Sequence, residues 1–335
     1  MKNFKIFLVI AIFALVLSVS FASYAAPTFR VAMVTDVGGL GDKSFNDAAF
    51  EGLNKLKKEL GCEIKVVESA KMEDYVPNLK SLADQKYDMI WAIGFLMTDA
   101  LTQVAKMYPE QKFGFIDSVV NLPNVHNVTF KEQEGSFLVG VIAATDSKKK
   151  KVGFVGGMEF PIIQKFEAGF KAGVKAVDPK IKVFSAYVGA FDNPGKGKEL
   201  ANAQFIYGVD VIYHAAGASG LGVINAAKEK GKGYWAIGVD RDQYNDGMRT
   251  NKTNCVLASM VKRVDVAIYK SSSATLNGKF AGGTVTELGL AENGVGVSEN
   301  AKKTASKNAL TKAEAYRKKI ITGKIKVPTN PKEVK

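Results

Sequence analysis

Cysteine, histidine and tryptophan are nearly absent, two of each in a chain of 335 residues. Two cysteines, Cys62 and Cys255, make no disulfide framework, and their spacing does not say whether they come within bonding range. His126 and His214 stand in no metal-ligand pattern with acidic or thiol neighbours. No Ser/His/Asp or Cys/His set can be assembled around them, and no G-x-S-x-G elbow occurs. Paired acids such as Glu73-Asp74 fall at apparent helix starts, where the helix dipole accounts for them. This inventory argues against an enzyme and calls for no cofactor and no metal.

Acidic residues are also in deficit, 33 against 46 basic ones, for a formal charge of +13. An excess of that size invites a nucleic-acid partner. The lysines are scattered, however, with the densest runs at Lys148 to Lys151 and from Lys302 to Lys335. Zinc-finger spacing and basic, aromatic-rich strands are both missing. The charge therefore reads as solubility and as tolerance of anionic membrane surfaces, with no nucleic acid bound.

Long apolar runs are missing except one, Ile6 to Val19, which follows Lys2 and Lys5. The small residues Ala22-Ser23-Tyr24-Ala25-Ala26 come next. The run is short for a bilayer crossing of roughly 20 residues, and no charged stop follows it. Residues 1–25 thus read as a secretory signal, cleaved after Ala25 or Ala26, with no cysteine nearby to take a lipid. An exported protein, soluble in a periplasm or outside the cell, is expected.

From Phe29 onward, short β-branched runs alternate with amphipathic stretches. Strands are expected at Phe29 to Thr35, Glu63 to Glu68, Asp88 to Ile93 and Phe113 to Asp117, with helices over Ser44 to Leu60 and Val76 to Gln85. The rhythm restarts after Val128 with a helix over Glu132 to Ala144. Strands at 151–155, 182–187, 209–213 and 234–239 follow, separated by helices. Such alternation means parallel sheets covered by helices, and on the order of a dozen strands suits two lobes better than one sheet. The C-terminal third is less regular, with a strand at Cys255 to Met260, a helix at Val264 to Leu276 and a long charged helix from Ala301 to Ile321. The expected organisation is one lobe from 27–128 plus about 241–282, and another from 129–240 plus about 283–335. The tail beyond Lys324 is expected to be loosely ordered.

Three glycine-rich segments resemble phosphate-binding loops and fail. In Gly38 to Ser44 (GGLGDKS), Asp42 intervenes before the lysine. Gly189 to Gly197 is one residue too long, and Gly217 to Gly222 (GASGLG) is a tight strand-to-helix turn. Ligands of open parallel sheets bind at the carboxyl ends of strands. Those ends here hold Asp36, Gly94-Phe95, Asp117, Gly156-Gly157, Gly189 to Asp192, Gly217 and Asp240, which predicts a cleft between two hinged lobes.

These segments resemble the basic membrane protein family, nucleoside receptors of ATP-driven importers with a type I periplasmic-binding-protein fold. The matching stretches are TDVGGLGDKSFNDAAFEG (35–52), FID (115–117), FKEQEGSFLVG (130–140) and KVGFVGGMEFPIIQKFEAGFKAG (151–173). GAFDNPGKGK (189–198), HAAGASGLG (214–222), GVDRDQ (238–243) and SMVKRVD (259–265) follow in the family's order. The resemblance implies an α/β fold of two doubly wound lobes, a purine-nucleoside ligand, a membrane permease as partner and a monomer. It implies that Phe45 and Phe191 stack on the base and that Asn46 and Asp117 bond its edge. Asp240 and Lys262 would take the ribose, neutralising one another when the cleft closes, with Asp36 and Gly217 lining the cleft. A free nucleobase, a flavin-like heterocycle or a sugar in the same fold stays open, as does, more remotely, a nucleoside hydrolase.

Overall fold

The computed structural model describes residues 28–334. The signal assigned to residues 1–25 lies outside them. Two six-stranded sheets carry the chain, and the strand order of one repeats in the other.

The first lobe alternates β1 (Arg30–Val34), α1 (Phe45–Leu60), β2 (Glu63–Val67), α2 (Tyr75–Asp84), β3 (Met89–Ile93), α3 (Thr98–Met107), β4 (Phe113–Ile116) and β5 (Val125–Phe130). The second continues with α4 (Glu132–Asp146), β6 (Lys151–Gly156), α5 (Pro161–Val177), β7 (Lys182–Tyr187), α6 (Pro194–Ile206), β8 (Val211–Ala215), α7 (Ser219–Lys230), β9 (Trp235–Asp240) and β10 (Val256–Lys262). Then come α8 (Val264–Leu276), β11 (Val285–Leu288), β12 (Val295–Val297) and α9 (Lys307–Ile321). The sheets run β11-β5-β4-β3-β1-β2 and β12-β10-β9-β8-β6-β7, parallel throughout except for the antiparallel edge strand β12.

Central strands such as β3 (MIWAI) are buried on both faces and read as unbroken apolar runs, as covered parallel sheets require. Edge strand β2 (EIKVV) mixes charge with half-buried valine and isoleucine. In the second lobe, α4 is buried almost all round. It lies against α5 backbone to backbone, because a Cβ at Gly140, Gly169 or Gly173 would overlap main-chain atoms of the facing helix. Among the described residues no helix is long and apolar enough to cross a membrane.

The re-entry expected after Asp240 comes later. Strand β10 stays in the second sheet, parallel to β9, and α8 returns to the first lobe against α1. Segment 241–255 is tied to the second lobe by Arg249, whose guanidinium donates to the carbonyls of Ala227, Gly231, Tyr234 and Asn254. The return crossing moves too: β11 adds to the first sheet beside β5, so the chain recrosses after Leu288 rather than near Gly282. By sheet membership the lobes are therefore 28–130 with 264–288, and 131–263 with 289–334.

The charged helix begins at Lys307, where the Ser306 side chain accepts from the Ala309 amide, and a 3-10 turn at Glu299–Lys303 precedes it. The tail is held rather than loose, with Val327 buried and the Val334 carbonyl 3.4 Å from Lys175 Nζ. Cys62 and Cys255 are buried free thiols in different lobes.

Candidate functional site

The carboxyl ends of both sheets face each other across one cavity. All eight residues singled out in the sequence line it: Asp36, Phe45, Asn46, Asp117, Phe191, Gly217, Asp240 and Lys262. So do Phe95, placed at the cleft by its strand end but given no role, and Asp42, Ile162, Ile163 and Phe166, which sequence reasoning did not nominate. Phe166 and the two isoleucines lie on α5, where they read as ordinary core positions.

Asp42 explains the GDKSFN segment. Its carboxylate accepts from the amides of Ser44 (2.9 Å), Asn46 (2.8 Å) and Asp47 (3.2 Å), satisfying free N–H groups at the start of α1. The Ser44 side chain, freed from capping, reaches across the cleft to Asp240 Oδ2 at 2.5 Å. Asn46 Nδ2 donates to Asp36 Oδ1 (2.8 Å) and Asp42 Oδ2 (3.3 Å), which leaves Asn46 Oδ1 as a buried acceptor with no protein partner. Asp36 holds its own loop by accepting from the Gly38 amide at 2.9 Å.

Lys262 closes β10 with 2 % of its surface exposed. Its ammonium lies 2.5 Å from Asp117 Oδ2 and 3.8 Å from Asp240 Oδ1, over the rings of Phe45, Phe130 and Phe166 at 4.6–5.5 Å. The pairing anticipated with Asp240 is therefore the longer of two. Asp117, assigned to a different part of the ligand, is the closer partner. Asp117 Oδ1 is buried without a hydrogen-bond partner, and so is Asp240 Oδ1, which the ammonium approaches only at ion-pair distance.

Phe191 follows β7 and is nearly buried, 8 % exposed. Its ring lies where a side chain at Gly157 would sit, and it meets Phe95 of the other lobe edge-on at 6.2 Å. Phe95 also meets Phe160 at 5.1 Å, so an aromatic cluster spans the lobes beside the cavity. Gly217 adopts φ +54, and a Cβ there would lie 3.3 Å from the Phe191 carbonyl.

Four aspartates thus share the cavity wall with one lysine. Burial pushes Asp36 up to about 6, against the bonds from Asn46 and Gly38, and pushes Asp42 up to about 7. Burial also raises Asp240, with Lys262 and Ser44 opposing it. Desolvation would lower Lys262, but Asp117, Asp240 and Glu132 outweigh it and hold the ammonium above its usual range. A carboxylate-rich and aromatic cavity of this kind suits a ligand with several N–H or O–H donors and a flat face.

A family model described as ABC transporter substrate-binding protein PnrA-like, Bmp, matches residues 29–331. The chain belongs to the Bmp family. Proteins of this family serve ABC transporters as substrate-binding components, which is not an enzyme class. The Bmp chain is 42% identical over 318 residues to the CD4+ T-cell-stimulating antigen of Listeria innocua, covering 90% of this chain and 89% of that one. It is 38% identical to the ABC transporter nucleoside-binding protein BmpA of Lactococcus lactis, with the same coverage of each. Among solved structures, an ABC transporter solute-binding protein from Aeropyrum pernix K1 superposes with a TM-score of 0.82 at 30% identity, covering 90% and 93% of the two chains. A Conexibacter woesei solute-binding protein at 20% identity and TM-score 0.72 shares the fold. The two-lobed α/β architecture is that of periplasmic-binding proteins.

Proposed function

We propose that this Bmp protein is the extracytoplasmic receptor of an ABC importer, closing on a purine nucleoside between its lobes and delivering it to a membrane permease as a monomer. The observation that carries this reading is the set of three buried acceptors without a hydrogen-bond partner, Asn46 Oδ1, Asp117 Oδ1 and Asp240 Oδ1, on one aromatic-walled cavity. A purine nucleoside supplies both complements, a planar base and a hydroxylated sugar. In this reading Phe45 and Phe191 flank the base, a contact worth ~1–3 kcal/mol per stacked ring in nucleic-acid binders. Asn46 and Asp117 bond its edge. Asp240 accepts from ribose hydroxyls and Lys262 donates to the same sugar, while Asp36 and Gly217 shape the wall. A buried carboxylate left unpaired strongly disfavours ligands that lack the donor, which is the source of selectivity. The relative from Lactococcus lactis, named for nucleoside binding, supports the same class.

The test is calorimetry on refolded, ligand-free protein against nucleosides, free bases, riboflavin and sugars, with mass spectrometry of denatured extracts to identify carried ligand. Purine nucleosides are expected to bind best. Binding of sugars with no response to any nucleoside or base would sink the assignment.

A further inference from the structure

Two lysines far along the chain, Lys182 and Lys230, join the run Lys148 to Lys151 at one pole of the second lobe. The amino ends of its parallel strands lie side by side, since the Lys182 amide donates to the Lys150 carbonyl, Asp210 to Lys151, and Trp235 to Asp210. This brings the run Lys148 to Lys151 next to Lys182 and to the end of α7, where Lys149 and Lys230 both lie over the Tyr234 ring, at 4.3 and 5.6 Å. Lys148, Lys149, Lys150, Lys182 and Lys230 are exposed, and none forms an ion pair with a carboxylate among the described residues. The acids nearby are already engaged. Asp210 is buried and accepts from Ser147 Oγ and from the amides of Lys148 and Lys149, and Glu229 is paired with Lys198.

At the same pole two large apolar side chains face water. Ile206 is 78% and Tyr207 67% exposed at the end of α6. Tyr207 stacks on Phe184 with centroids 6.3 Å apart and planes 8° from parallel, and its carbonyl accepts from Lys151 Nζ at 2.9 Å. The apolar tip and the basic ring are therefore one surface.

We propose that this pole docks the protein on an anionic lipid surface, with Ile206 and Tyr207 entering the interface and the lysines held over the headgroups. Unpaired lysines around an apolar tip match such a surface on both counts, because the ammoniums meet the headgroup charge while Ile and Tyr gain burial. A nucleic-acid backbone would use the charge and leave the isoleucine in water. The pole lies at the amino ends of the strands and the cavity at their carboxyl ends, so ligand binding and surface binding are separable.

The experiment is co-sedimentation of the full protein with vesicles of phosphatidylglycerol and phosphatidylcholine mixed, and of phosphatidylcholine alone. Binding to the mixed vesicles only, falling as salt is raised, is expected. The triple variant Lys148→Glu, Lys150→Glu, Lys182→Glu should lose roughly tenfold or more in vesicle affinity, and Ile206→Ser with Tyr207→Ser several-fold. Both variants should keep the wild-type melting temperature and ligand affinity, which separates a lost surface from a lost fold. Equal binding to both kinds of vesicle, no binding to either, an unaffected triple variant, or tighter binding to duplex DNA than to vesicles would overturn the proposal.

Discussion

Asp117 and Asp240 hold equivalent places in the two lobes. Each follows or ends the third strand of its sheet, each has left-handed backbone (φ 73 and 62), and the Lys262 ammonium lies 2.5 Å from one and 3.8 Å from the other. A non-glycine residue in that conformation costs on the order of 1 kcal/mol or more, though aspartate tolerates it better than most. One cation thus joins two carboxylates from opposite lobes.

Removing the cation leaves both acids buried without a counter-charge. Lys262→Met should lower stability by about 3–5 kcal/mol in urea unfolding and weaken nucleoside binding at least about a hundredfold, through the stranded charge as well as the lost contact. Affinity within a few-fold of wild type would place Lys262 outside the ligand's reach.

Asp240→Ala should weaken ribosides far more than the corresponding free bases, measured by calorimetry on the two series. Asp117→Ala should penalise bases and ribosides alike, since its proposed partner is the base edge. Equal losses for both series in the Asp240 variant would remove its ribose role.

Arg241 bridges the lobes without lining the cavity. Its guanidinium is 3.4 Å from Asp47 and also bonds Glu51, both on α1, while the neighbouring Gln243 Nε2 donates to the Lys43 carbonyl at 3.1 Å. These contacts cross between the lobes and would be lost if the proposed cleft opened, so Arg241→Gln should reduce affinity for every ligand by the same factor, about twofold to tenfold, with weaker salt dependence than wild type. A loss that differs between guanosine, inosine and adenosine would mean that Arg241 reaches the ligand.

The raised Asp36 makes stability pH-dependent in a stated direction. Its folded-state value near 6 exceeds the ordinary 3.8, so the folded protein holds a proton that the unfolded chain releases. The stabilisation is fully present below about pH 4 and is lost as pH rises through about 6, on the order of 2–3 kcal/mol in all. Asp36→Asn has no such group. The stability difference, wild type minus variant, should therefore fall between those pH values in urea titrations, and a flat or rising difference would contradict the buried, proton-binding carboxyl.

Gly157→Ala would drive a methyl into the Phe191 ring. The ring should shift, and nucleoside affinity should fall by about 1–3 kcal/mol, as though a stacking face were lost. Unchanged affinity would separate Phe191 from the ligand.

Much of this protein is legible in one dimension. The apolar runs of β1, β3 and β6 mark buried parallel strands, and the acids and aromatics after them mark the cavity, because strand ends in such sheets converge there. Strand β5 is harder to read, since His126 and Asn127 interrupt it with polar side chains. Both are buried, and the Asn127 side chain bonds the backbone of Val120 and of the distant Thr284. Phe166 gives no functional signal because a helix that covers a sheet and lines a cavity presents the same apolar stripe to both.

By itself the sequence determined the alternation of strand and helix, the poverty of catalytic groups and the strand-end residues of the cavity, all of which rest on local pattern and composition, while Phe45, Asn46 and Lys262 were reached only through the family resemblance. Only the tertiary structure decided which sheet receives the late strands β10 (VLASMVK) and β11 (VTEL), for neither segment's own sequence specifies a lobe, and pairing partners elsewhere in the chain select it. It likewise decided that Lys262 bonds Asp117 more closely than Asp240, and that lysines far apart in the chain share one pole. Contacts between distant segments depend on how the lobes close and how the strands register, and no local pattern encodes either.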